Sequence, residues 1–187
     1  MHHSLPEELK EIIRNHYEGN KRLPYELALA ILNDISEDED TSMFYFFGVP
    51  SYYRSAYRIL ANVSKQDMKE LIGEVPKKKK GMKYIDKLTN EVSSWTVDRE
   101  SFHNGMIGVD GIGKRPANKK YTVMLETKPS SSFIFNPKRL PEEVGASAFS
   151  DEQEIIGVGD IEDVSVAYRE NGVDEDYDMI LEELEDM

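Results

Sequence analysis

Cysteine is absent from all 187 residues, so disulfides and thiolate metal sites are excluded and the fold needs no oxidising compartment. Also missing is any apolar run near the roughly 20 residues that a membrane helix requires. The first residues, Met1-His2-His3, carry no signal-peptide pattern, so a cytoplasmic location without a membrane partner is expected. Histidine is scarce, and His2, His3, His16 and His103 show no metal-ligand spacing, so no metal is expected. Basic residues are outnumbered: 23 Lys and Arg stand against 36 Asp and Glu, leaving a net charge of −13. That balance disfavours broad contact with nucleic acid or phosphate, except at local basic sites.

The charge is unevenly spread. Glu37 to Asp40 and the tail from Asp174 to Asp186 hold much of the acid. Lys77 to Lys80 is a compact basic run, read as solvated surface, and Lys114, Arg115, Lys119 and Lys120 form a second basic region. The hydrophobic share of 39% supports one core. Three stretches divide the chain: an N-terminal helical segment over 1–50, a core over 51–170 and an acidic tail over 171–187.

Helical spacing marks Leu9, Ile12, Ile13 and Tyr17 after a Ser4 cap, and then Leu27, Ala28, Ile31 and Leu32 after Leu23-Pro24. Met43 to Phe47 is an aromatic cluster suited to core. Ala56 to Leu60 reads as a short strand, and Ser64-Lys65-Gln66-Asp67 as the capped start of a helix that ends at Gly73. A lysine-rich loop is expected next, then a strand over Val92 to Thr96 and a brief helix over Asp98 to Phe102. Tyr121 to Thr127, Ser132 to Phe135, Gln153 to Val158 and Val164 to Tyr168 complete the expected strands. Helices first and then mostly strands is an α+β order rather than alternating βαβ units. For Asp178 to Leu184 two outcomes stay open, an amphipathic helix that docks or a disordered tail.

Three segments carry the candidate chemistry: Tyr57-Arg58, Ser94-Trp95-Thr96 and Glu152-Gln153-Glu154. Residues two apart on a strand project from one face, so Glu152 and Glu154 form a carboxylate pair. Like charges so close are costly unless chemistry uses them, for instance to stabilise a developing cation. Trp95 reads as a packing residue. The glycines at 105, 108, 111 and 113 make a flexible segment, but their spacing is wrong for a Rossmann fingerprint. The acidic tail lacks the register of an EF-hand loop.

Arginine, then a Ser-x-Thr strand, then Glu-x-Glu, in that order, resembles the arginine-serine-glutamate class of mono-ADP-ribosyltransferases, its bacteriophage members most of all. The similarity runs from about Ser55 to Tyr168, through Tyr57-Arg58, Ser64-Lys65, Ser93-Ser94-Trp95-Thr96 and Glu152 to Gly159. The resemblance implies a split β-sheet core with N-terminal helices, and transfer of ADP-ribose from NAD to a host acceptor protein in the host cytoplasm, arginine preferred. It also implies roles. Glu154 would hold the ribose 2′-hydroxyl and stabilise an oxocarbenium-like transition state. Ser94 would orient it, Arg58 would neutralise the NAD phosphates and Glu152 would engage the acceptor. Ile59 and Thr96 would complete the NAD contacts, with Lys114 and Arg115 beside the glycine-rich loop as weaker ones. Ile59 stands where the family usually has glycine, which leaves Arg54 as an alternative arginine. An RNA acceptor stays open, as do two rival functions: an NAD glycohydrolase, and a non-catalytic acidic inhibitor that binds through its tail.

Overall fold

Apolar residues one helical turn apart fix the first element. Leu27, Ala28, Ile31 and Leu32 line one side of helix α1 (Tyr25–Glu37), with Ala28 and Ile31 fully buried. The computed structural model describes residues 11, 25–37, 48–49, 52–100, 109–110, 116–130, 132–135 and 154–187. The expected helix over Leu9 to Tyr17, apart from Glu11, and the aromatic cluster Met43 to Phe47 lie outside them.

Strand β1 (Ala56–Val63) leads into helix α2 (Lys65–Ile72). The Ser64 side chain accepts from the Asp67 N–H at 3.1 Å, and Gly73 closes the helix at a φ of 79°, where a side chain would be strained. Strand β2 (Lys80–Leu88) occupies what the sequence presented as loop. β3 (Val92–Thr96), β4 (Val109–Asp110), β5 (Tyr121–Thr127), β6 (Phe133–Phe135), β7 (Glu154–Val158) and β8 (Ile161–Glu170) follow, then helix α3 (Tyr177–Glu185). Arg99 and Glu100 form a turn, in which the Thr96 hydroxyl accepts from the Asp98 N–H and the Asp98 carboxylate from the Glu100 N–H; the rest of the helix expected to Phe102 lies outside the described residues.

The strands form one mixed sheet in the order β2-β8-β5-β1-β3-β7-β6, antiparallel along this path, with β4 added parallel to β1. The chain is thus α+β. Pairing is extensive within two groups, β2-β8-β5-β1 and β3-β7-β6. Between them β1 and β3 share a single registered pair, Tyr57 with Thr96.

Each face buries its own cluster. On one, Trp95, Ile155, Phe133, Leu125, Val123 and Val166 pack with Met68 of α2. Trp95 is fully buried, stands edge-on to Phe133 at 5.8 Å and donates its Nε1–H to the Ser93 Oγ at 2.8 Å. Gly157 makes room for this pair, since a Cβ there would lie 2.8 Å from the Ser93 Oγ. On the other face, Ile180, Leu181 and Leu184 of α3 cover Ile59, Met124 and Ala167. The acidic tail is therefore a docked helix. Asp176 caps it, accepting from the Met179 N–H at 2.9 Å.

Polar contacts hold α3 at both ends. At its start, Asn62, in a left-handed conformation at the β1 bulge, donates to the Tyr177 hydroxyl and accepts from Asn171 and from the Ala117 N–H. Further along, Glu183 accepts from Lys80 at 2.8 Å and from Arg169 at 2.7 Å, while Arg169 also pairs with Glu175. The hydrogen bond from Lys80 is the largest influence and holds the Glu183 carboxyl below its ordinary value of 4.5; burial pushes it up, and the charges of Arg169 and Lys80 add to the lowering. A lowered carboxylate pKa contributes stability above the unfolded-state value and loses it as pH falls through the folded one. The urea midpoint should accordingly drop below about pH 4.5. In Glu183→Gln this part of the acid dependence should flatten. An unchanged acid limb in the variant would show that Glu183 does not contribute.

Candidate active site

Registered partners on neighbouring strands share a face of the sheet. The pairings Tyr84–Ser165, Ser165–Glu126, Glu126–Tyr57, Tyr57–Thr96 and Thr96–Glu154 thus trace one continuous row across β2, β8, β5, β1, β3 and β7. One step along, Met82, Ala167, Met124 and Ile59 form a parallel row on the same face, over whose inner part α3 packs. Towards the other side, α1 contacts β6 and β7. The row containing Glu154 is polar where its neighbour is apolar, and Tyr57, Glu126, Ser165 and Glu154 are half-buried rather than sealed.

Ser94 and Glu154 meet on this face. The Ser94 hydroxyl donates to the Glu154 Oε2 at 2.5 Å. Strand geometry explains the contact. Thr96 is paired with Glu154 and Ser94 with Ile156, so the serine lies diagonally across from the carboxylate on the same side.

Thr96, expected among the NAD contacts, is fully buried, and its hydroxyl both donates to the Asp98 carbonyl and accepts from the Asp98 N–H. It fixes the turn after β3. The Ile59 side chain does not crowd a pocket beside Arg58, because it is fully buried under α3. Its strand is flanked by β5 on one edge and β4 on the other, where Ile59 pairs with Val109. A two-residue piece of the glycine-rich segment is thus anchored beside the candidate arginine.

Arg58 falls one residue past the β1–β3 bridge and pairs with Leu125, a member of the Trp95 cluster. By alternation its side chain leaves β1 on the face opposite Tyr57, Thr96 and Glu154. Arg54 is exposed before the strand begins. Glu152, Lys114 and Arg115 lie outside the described residues.

Sequence reasoning missed two residues on the Glu154 face. Glu126, the single acid in the otherwise buried strand Tyr121–Thr127, receives a hydrogen bond from the Ser55 hydroxyl at 3.4 Å. An acid inside so apolar a strand was the available signal. Arg99 holds its guanidinium 5.8 Å from the Tyr57 ring centroid. Its position three residues after Thr96 carried no signal, because Tyr57 reaches it only through the β1–β3 pairing. A separate pocket of about 610 Å³ opens at the far end of β1, among Leu60, Asn62, Asp67, Glu70 and Lys87, and none of the candidate residues lines it.

No family model, no curated protein and no solved structure matches the chain.

Proposed function

We propose that the chain is an NAD-dependent mono-ADP-ribosyltransferase acting on a protein acceptor, with arginine the preferred residue. The observation that carries this reading is the short hydrogen bond from the Ser94 hydroxyl to the Glu154 carboxylate across β3 and β7. Two of the three segments that resemble the family in sequence, far apart along the chain, meet there. The split pair of sheets that the resemblance implies is not what the strands form: β1 and β3 join them into one sheet, and the reading rests on the Ser94–Glu154 contact alone.

The chemistry is breakage of the bond between nicotinamide and ribose. Neutral nicotinamide leaves with the electron pair, and positive charge builds on the ribose ring. Glu154 sets a fixed negative charge near that ring and accepts from the 2′-hydroxyl, while Ser94 holds the carboxylate in place. An acceptor nitrogen then bonds to the ribose carbon and gives up a proton, with Glu152 as the expected base. The acidic-inhibitor reading has less to stand on, because Glu175 and Glu183 of the tail are engaged by Arg169 and Lys80 within the chain.

Purified protein incubated with labelled NAD and cell lysate tests the assignment. Label on protein that hydroxylamine removes supports transfer to arginine. Free ADP-ribose without protein label indicates the glycohydrolase instead, and no NAD turnover sinks both.

A further inference from the structure

We propose that Arg99 is the guanidinium that holds the pyrophosphate of NAD on the Glu154 face, an inference that rests on the transferase reading above. The nicotinamide ribose is to be held by Glu154, so the two phosphates must find cationic donors on the same side of the sheet. Arg58 leaves β1 on the other side, opposite Leu125. Arg99 stands over Tyr57, whose partner Thr96 is in turn paired with Glu154. With adjacent strands about 4.8 Å apart, the Tyr57 position lies two strand steps, roughly 10 Å, from Glu154. That separation suits a ligand whose phosphates and reacting ribose are joined by a few bonds.

The contact with Tyr57 is compatible with phosphate binding. A cation over an aromatic ring uses the face of its plane, and the N–H donors around the plane's edge stay free for a phosphate fork. The Arg99 backbone is pinned on both sides. The Thr96 hydroxyl holds both backbone groups of Asp98, and the Asp98 carboxylate accepts from the Glu100 N–H at 3.1 Å. Such a turn presents the donor already oriented, which lowers the entropy lost on binding.

The test is ADP-ribose binding by calorimetry to the full chain and to Arg99→Gln, Arg99→Lys and Arg58→Gln, with nicotinamide inhibition of NAD turnover as a control lacking phosphates. Arg99→Gln should weaken ADP-ribose about 10- to 100-fold, and leave nicotinamide inhibition unchanged. Arg99→Lys, which keeps the charge and loses the fork, should fall between. Equal ADP-ribose affinity in Arg99→Gln and the parent overturns the proposal. So does a loss confined to Arg58→Gln, or a parallel loss of nicotinamide inhibition, which would mark Arg99 as merely structural. If the parent neither binds ADP-ribose nor turns NAD over, the transferase reading itself fails and this proposal goes with it.

Discussion

Glu154→Gln should lower NAD turnover by about a hundred- to a thousandfold while leaving the fold intact. The substitution keeps the size of the side chain and its ability to accept from the Ser94 hydroxyl, now at 2.5 Å from a carboxylate oxygen. In the proposed reaction, what it removes is the negative charge that would favour the transition state over the ground state as the nicotinamide bond breaks. The loss should therefore fall on kcat, with little change in KM. Ser94→Ala should cost less, because the hydroxyl acts through the carboxylate. The double variant should be little worse than Glu154→Gln alone, as expected of groups working as one unit. Steady-state NAD consumption for the three variants checks this. Full activity in Glu154→Gln would remove the centre from the proposed site, and additive losses would mean that Ser94 acts independently.

The largest expected loss of stability comes from Trp95→Ala. Trp95 is fully buried, packs edge-on against Phe133 and shares the Trp95–Ile155 register with β7. Truncating a buried tryptophan costs about 3–5 kcal/mol through lost burial and the cavity left behind. Removing the indole N–H also strips the Ser93 hydroxyl, itself buried, of its donor. For a chain of this size the melting temperature should drop by very roughly 6–20 °C. Thermal unfolding followed by circular dichroism measures the shift. A drop of only a degree or two would mean that the β3–β7 half of the sheet does not depend on this indole. Because Ser94 and Thr96 flank Trp95 on the other face, NAD turnover should decline in this variant even below its melting point.

Local signals were read well where the responsible chemistry is local. Ser64 and Gly73 bracket α2 because a cap hydroxyl and a left-handed glycine act within a few residues. Tyr121 to Thr127 announced itself by β-branched and aromatic side chains, and every residue but Glu126 is buried. β2 was not legible. Its sequence Lys-Gly-Met-Lys-Tyr-Ile-Asp-Lys-Leu is charged at the sheet edge, with Tyr84 exposed, and its ladder with β8 supplies the order that composition does not. The tail was balanced between docking and disorder. The choice fell to docking because Ile59, Met124 and Ala167 offer Ile180, Leu181 and Leu184 an apolar bed.

The sequence by itself determined the element types of most of the described chain, and it singled out Ser94 and Glu154, whose side chains meet. Tertiary structure alone decided which face each of them occupies. Side-chain direction on a strand depends on register with partners tens of residues away, and a shift of one position would send Glu154 to the other side. Thus the pairing of Tyr57 with Thr96, and of Thr96 with Glu154, put Tyr57, with Arg99 over its ring, on the face of the carboxylate and sent Arg58 to the opposite one.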